Sequence, residues 1–583
     1  MGCLQSSNLT LLLATLFLFL SRPAHGLCKV TPGSENWPSL SSWTDLNRTT
    51  GGRLLKPLPP ASVCHPDQPN YNRARCTTIS NAWSSSQFHS DDPISYDWQN
   101  WSNYSCTLDP STPCSGVGYP VYVINATTAE HVQIAVNFAR DNNLRLNVRS
   151  TGHDFLGRSA NPQSLSVWVH YMRSINFHGS SFSPQGCGIS LNVNAVTVGS
   201  GTQMRELYRA AAARALIVVG GSSTTVSVGG YLTGGGHSPL SPLFGMGADQ
   251  VIQFDIVTAD GKILTTNECT NTDLFWAVRG GGPAFGVVTS FTIRAIPTVP
   301  TVVYGGSIRT STDIDANFEA IAHVHKQWSS RLAKFGVGGY MIGTPHAGTG
   351  SISLQVIMPN ATSTSVLQKK LAPILSEMAS VTNGSVKASG FYSLYQSYGA
   401  FIAPGTDTND ASGFPGTGLT KLITSWLYDE DALNDPGLKN ALMGASDSST
   451  LLFNDFTAGP GTHNPPFIRG GGNAVNPAWR SAIVRPASEK HFPGLNRALL
   501  EQSKLDFLRF GESLRKLAPN GGTYGNEADA ATPDFQQAFY GSNYERLLSI
   551  KRTFDTDGVF WCRTCVGSEL WEEDADGSLC SVE

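Results

Sequence analysis

The spacing of apolar residues changes several times along the chain, and each change predicts a different element. Leu11 to Leu20 is a continuous, largely apolar run. It is too short to span a bilayer, and Ala24-His25-Gly26 behind it fits a small-residue cleavage site. A signal peptide over 1–26 is expected, although no basic residue precedes the run. Residues 27–117 are rich in Ser, Pro, Asn and Trp, show little periodicity, and read as an irregular, disulfide-tied extension. The pattern sharpens at 118. Val121-Tyr122-Val123-Ile124 reads as a strand. Thr128 opens a helix with Val132, Ala135, Phe138 and Ala139 on one face. Asp141-Asn142-Asn143 ends it, and Leu144 to Val148 returns as a strand. Short strands and turns continue, so 118–300 reads as one domain. Over 301–500 the pattern differs again, with a helix near 313–334, alternating strands such as Ser351 to Val356, and Gly/Pro-rich loops at 404–418 and 459–473. This part is expected to face substrate. Residues 501–583 carry most of a helix from Leu499 to Leu517 and are expected to complete the first domain.

A chain of 583 residues is too long for one core and sufficient for several domains. Only 14% of residues are charged and the formal net charge is −4, so no basic excess exists to neutralise nucleic-acid phosphates. No other stretch is long and apolar enough for a membrane span, and a monomer is expected. Secretion changes how the cysteines read. Loss of Cys3 with the leader leaves ten of the 11, an even number that favours disulfides in an oxidising compartment. Cys64/Cys76 and Cys106/Cys114 are plausible local pairs. Cys562-x-x-Cys565 reads as a structural disulfide, because no second ligand pair stands at zinc spacing. Met1 to Ser6 also matches a myristoylation pattern, but the apolar run behind it favours secretion. Sequons at Asn47, Asn100, Asn103, Asn125, Asn360 and Asn383 suggest a glycosylated surface, with Asn125 the least suited because it ends a strand. His323 and His325 fall on the expected helix, where i and i+2 point apart, so no metal site is expected.

Chemistry concentrates in two loops. The first runs Arg149-Ser150-Thr151-Gly152-His153-Asp154 to Ser159, and the second runs Val228-Gly229-Gly230 through Gly234-Gly235-Gly236-His237. Glycines let backbone N–H groups approach a pyrophosphate closely, while the absence of G-x-G-x-x-G argues against a Rossmann site. Further on come Gly247-Ala248-Asp249, Trp276-Ala277-Val278-Arg279-Gly280-Gly281-Gly282 and Tyr540-Gly541-Ser542-Asn543-Tyr544. In this order the set resembles the berberine bridge enzyme-like flavoproteins of the vanillyl-alcohol-oxidase superfamily, over nearly the whole mature chain.

That resemblance implies an α+β fold: a two-lobed FAD-binding domain with an inserted antiparallel-sheet substrate domain. It implies FAD joined covalently to His153. Cofactor contacts carried over with it fall on Arg149, Ser150, Thr151, Gly152, Asp154, Ser159, Ser223, Thr224, Val226, Val228, Gly229, Gly230, Gly235, Gly236, Asp249, Val287 and Asn543. Many relatives carry a second flavin bond from a cysteine just before the Gly229-Gly230 turn. Ser223 stands there in this chain and cannot form that thioether, so one bond is expected. The usual Asn after the third glycine run is replaced by Ala284. Val226 falls where relatives place the residue that gates oxygen, and a valine there leaves room for O₂.

The expected reaction is removal of hydride from a C–H of an alcohol, carbohydrate or secondary metabolite, with electrons passed to O₂ and hydrogen peroxide formed. The chain is similar to a secreted fungal branch that includes isoamyl alcohol oxidases. A dehydrogenase with another acceptor, or a silent secreted flavoprotein, are the alternatives. A base eases hydride removal by taking the hydroxyl proton. Relatives use a tyrosine within Y-x-N-Y, and here the segment is Tyr524-Gly525-Asn526-Glu527. Glu527 and Tyr524 are both candidates, with Tyr392, Tyr395 and Tyr398 as rivals from the second domain.

Overall fold

The computed structural model describes residues 28–403, 416–494, 496–574 and 576–582. The leader at 1–26 and most of the 404–418 loop lie outside them. Strands form at Tyr122–Asn125 and Leu146–Arg149, and the helix between them spans Ala129–Asp141. The Thr128 hydroxyl accepts from the His131 N–H and caps this helix. Val132, Ala135, Val136 and Ala139 form its buried face, and Phe138 packs against Trp43 at 4.9 Å. The two strands do not pair with each other. Both lie parallel to Leu165–Trp168, which inserts between them. The crossover helix therefore spans one intervening strand.

A second, antiparallel sheet follows in the order Ile175–Phe177, Asn194–Gly199, Val287–Pro297, Val251–Val257 and Ile263–Asn267, with Leu216–Ile217 pairing the end of Val287–Pro297. Its long central strand is buried at eight of eleven positions, which explains a near-continuous apolar run. The 301–500 part holds a seven-stranded antiparallel sheet, ordered Lys387–Tyr395, Thr301–Arg309, Ser351–Pro359, Gly338–Gly343, Leu451–Phe456, Arg485–Phe492 and Thr420–Ser425. Ile352, Leu354 and Val356 alternate inward and join a core with Phe318, Ile321 and Leu371 from helices Ile314–Arg331 and Thr364–Val381. His325 on the first of these helices is buried, with Nε2 3.0 Å from Asn454 Oδ1, while His323 faces Glu377. The helix Arg497–Leu517 packs on Thr420–Ser425.

Residues 28–117 correct the reading of an irregular extension. They hold helices at Leu40–Thr49, Arg73–Ala82 and Ser86–Asp91, capped by Ser39, Asn72 and Ser85. Elements this short show no sustained period. Leu54–Leu55 pairs with Tyr122–Asn125, and Trp43 stacks on Tyr122 at 4.1 Å, so the segment is built onto the first sheet. All ten cysteines from Cys28 onward pair: Cys64–Cys76 and Cys106–Cys114 locally, Cys562–Cys565 across two residues, Cys187–Cys269, and Cys28–Cys580. Asn103, Asn360 and Asn383 are exposed, whereas Asn47, Asn100 and Asn125 are half-buried. No helix of the described residues is long and apolar enough to cross a membrane.

Candidate active site

The two glycine loops meet along one cleft. Ser150, Thr151, Gly152, His153, Asp154 and Ser159 line it from the first loop. Ser223, Val226, Gly229 and Gly230 line it from the second, joined by Val287, Tyr524 and Glu527. Gly152 sits at φ +84°, and a Cβ there would meet the Arg149 guanidinium at 2.8 Å. Arg149 itself lies behind the loop, where its Nη2 donates to the carbonyls of His89 and Asp92.

The His153 ring is held on both sides. Its Nε2 is 2.7 Å from the Thr225 hydroxyl, and its Nδ1 is 3.2 Å from Asp97 Oδ2. Trp98 Nε1 donates to the His153 carbonyl and Trp101 Nε1 to that of Phe155. Asp97, Trp98 and Trp101 all come from the N-terminal segment, which thus backs the histidine loop. From the other side Arg563, between Cys562 and Cys565, donates to the carbonyls of Gly157 and Ala160.

Burial pushes the Asp97 carboxyl up to about 6, against the pull of His89, Ser86 and Arg149. A folded value above the ordinary one of about 3.9 means that the native state binds the extra proton. The stability this contributes is full below about pH 4 and is lost as pH rises through about 6. Asp97→Asn is therefore expected to raise the thermal midpoint at pH 7.5 relative to wild type, with a smaller gain at pH 5. Thermal unfolding at the two pH values checks this, and an equal or reversed gain would remove the buried charge as the cause.

On the opposite wall, Gly230 faces open space where a Cβ would point, while a Cβ at Gly229 would meet the Ser200 carbonyl at 2.9 Å. The Ser150 and Ser200 hydroxyls line the same cleft and are buried, with no hydrogen-bond partner among the described residues. Unfilled buried hydroxyls beside open glycine backbone suit a long ligand rich in oxygen acceptors, as a dinucleotide is.

Asn526 draws three segments together. Its Oδ1 accepts from Arg158, which also pairs with Asp154 of the histidine loop. Its Nδ2 donates to the Gly230 carbonyl at 3.3 Å and to the Tyr524 hydroxyl at 2.8 Å. Burial, then the charge of Glu527, pushes the Tyr524 phenol far up. Glu527 lies in a buried charge cluster. Its Oε1 is 3.2 Å from His237 Nε2, and its Oε2 pairs with Arg485. Arg485 Nε also donates to Asp455 Oδ2 at 2.9 Å. Burial raises the Glu527 carboxyl, but Arg485 and then His237 outweigh it and hold the group at about 2. A carboxylate held so low keeps little basicity. Behind it Lys421 pairs with Glu489 at 2.8 Å. His237, Asp455 and Glu527 are close enough to share a cation, but the Arg485 guanidinium already pairs with both carboxylates.

Several residues expected at the cofactor do not line the cleft. Val228 is buried in the core, and the Thr224 carbonyl accepts from the Arg205 N–H. Gly235 and Gly236 accept from the N–H groups of Ala248 and Gly247. Asp249 is buried against Arg480 and Asn473, and Asn543 donates to the Val475 carbonyl. Tyr392, Tyr395 and Tyr398 are also absent from the lining. Sequence reasoning missed Asp97, Arg485 and Asp455, which carry no local motif. His237 closes the glycine run, where its motif alone implies no role.

Residues 120–267 match the family model of an FAD binding domain, and 523–567 match the model described as berberine and berberine like. The chain is 35% identical to an FAD-linked oxidoreductase of Arthroderma benhamiae, over 98% of this chain and 99% of that protein. It is 33% identical to a VAO-type flavoprotein oxidase of Thermothelomyces thermophilus, over 97% and 98% of the two chains. Its fold matches the crystal structure of the VAO-type flavoprotein MtVAO713 of Myceliophthora thermophila with a TM-score of 0.86 and 31% identity, covering 95% of this chain and all of that one.

Proposed function

The chain belongs to the FAD-linked oxidoreductases of the vanillyl-alcohol-oxidase and berberine-bridge type, and from that membership we propose a secreted oxidase whose FAD is bound covalently through His153 alone. The observation that carries this reading is the setting of His153 on the cleft, fixed between Asp97 and Thr225, with Ser223 rather than a cysteine on the facing loop. Gly229, Gly230, Ser150 and Ser200 would hold the cofactor's polar chain, and Val287 its apolar part. FAD supplies the hydride acceptor when bound. The protein's residues orient a C–H-bearing substrate at the Tyr524–Glu527–His237 corner, shield it from water and take up its proton. The substrate class is an alcohol, a carbohydrate or a secondary metabolite, and O₂ is the electron acceptor. Secretion is supported by the pairing of every cysteine from Cys28 to Cys580.

Acid denaturation followed by peptide mapping tests the linkage. The yellow colour is expected on the peptide containing His153 and to be lost from protein in His153→Ala. Flavin released freely by acid, or found on another residue, would overturn it.

A further inference from the structure

The Tyr524–Glu527 segment invites the assumption that one of these two residues takes the substrate's proton. Their surroundings argue otherwise. Glu527 shares Arg485 with Asp455, and the Tyr524 hydroxyl already accepts from Asn526. His237 is the remaining proton acceptor at this corner. It lines the cleft, with its ring edge-on to Tyr524 at 5.0 Å and stacked on Trp479 at 6.1 Å.

We propose that His237 is the catalytic base, held and charged for that task by Glu527 and Asp455. The assignment rests on the oxidase reading above. Glu527 is an ionised acceptor, so the 3.2 Å contact to Nε2 requires a proton on that nitrogen. The neutral ring then carries its lone pair on Nδ1. This atom is buried and has no hydrogen-bond partner among the described residues. A buried acceptor left unfilled is unfavourable; a substrate hydroxyl would fill it, and reaching it requires the ring to shift toward the cleft that His237 lines. In the reaction the substrate O–H bond breaks and its proton passes to Nδ1. The C–H bond breaks with both electrons going as hydride to FAD, and a carbonyl forms.

Charge counting supports the same residue. Asp455 and Glu527 bring two negative charges and Arg485 one positive charge. Lys421, near Glu527, is matched by Glu489, and Tyr524 is neutral. With both carboxylates ionised the cluster would carry one uncompensated negative charge beside a neutral His237, although burial raises the Asp455 carboxyl. An imidazolium beside Glu527 and 3.7 Å from Asp455 cancels it. This is the logic by which a carboxylate orients a catalytic histidine and stabilises its protonated form.

The test is anaerobic flavin reduction followed by stopped-flow absorbance, over a range of pH. Alcohols, oligosaccharides and phenolic metabolites are first screened on the wild type for bleaching. With a donor in hand, His237→Gln is expected to slow reduction by about 100-fold or more. Its flavin content and the air oxidation of photoreduced flavin should stay at wild-type levels. Glu527→Gln keeps an acceptor for the Nε2 proton and should slow reduction less than His237→Gln does. If H237Q is reduced as fast as wild type while E527Q is not reduced, Glu527 is the base and the proposal is wrong. If no donor bleaches the wild type, the oxidase reading falls and the assignment falls with it.

Discussion

Arg485→Met is expected to destabilise the protein by about 3–5 kcal/mol, the usual effect of removing one partner from a buried charge pair. Arg485 and Asp455 are fully buried, and the guanidinium pairs with both Asp455 and Glu527. Without it two carboxylates lie close together in a low-dielectric pocket, and His237 is the nearest compensating group. Native-state protonation would then rise above the unfolded values of both acids. Stability of the variant should consequently fall as pH rises above about 4. The wild type behaves oppositely at Glu527. That group is held at about 2, so its contribution is full above about pH 4.3 and is lost as pH falls towards 2. Denaturant unfolding of both proteins at pH 5 and pH 7.5 measures the difference. Arg485→Met combined with Asp455→Asn and Glu527→Gln should recover most of the loss, because no unpaired charge remains. A loss below about 1 kcal/mol in the single variant would show that water reaches the cluster and screens it.

Val226→Leu is expected to slow reaction of the reduced enzyme with O₂ by about tenfold or more, equivalent to ~1.4 kcal/mol of barrier. Val226 is half-buried, lines the cleft, and is fixed by its carbonyl, which accepts from the Met204 N–H at 2.9 Å. An added methylene would therefore enter the cleft, since the backbone cannot retreat. Anaerobic reduction by substrate should change by less than about twofold, because the proton-accepting corner lies on other segments. Stopped-flow measurement of the two half-reactions separates the effects. If the reduced wild type reacts with air only over many minutes, a dehydrogenase replaces the oxidase. If the leucine variant reoxidises as fast as wild type, Val226 only packs.

Much of the scaffold was legible because its signals are local. The Thr128 cap, the apolar face at Val132, Ala135 and Ala139, and the Ser351 to Val356 alternation each depend on residues within one or two turns. The glycine loops were legible for the same reason, since a positive φ at Gly152 is a property of one residue. The charge cluster was not. His237, Asp455, Arg485 and Glu527 come from four separated segments, and sheet register accounts only for Asp455 beside Arg485, while His237 and Glu527 arrive on loops. Asp455 pairs with Arg485 across neighbouring strands. Glu527 was visible as a substitution in a tyrosine pattern, but its basicity depends on Arg485 and His237. Asp97 was hidden for another reason: its short helices and turns carry no period, so nothing indicated that this segment backs His153.

The Cys28–Cys580 bond joins residues 552 positions apart. Everything between them forms one covalent ring. A protease that cuts once at any peptide bond within that ring opens it without producing two molecules. The cut protein keeps its mass plus one water, runs as one band until reduced, and holds its severed ends within reach of their native partners. Where proteases reach the chain, a first cut then becomes a scar that the fold can outlast. Loss of material requires a second.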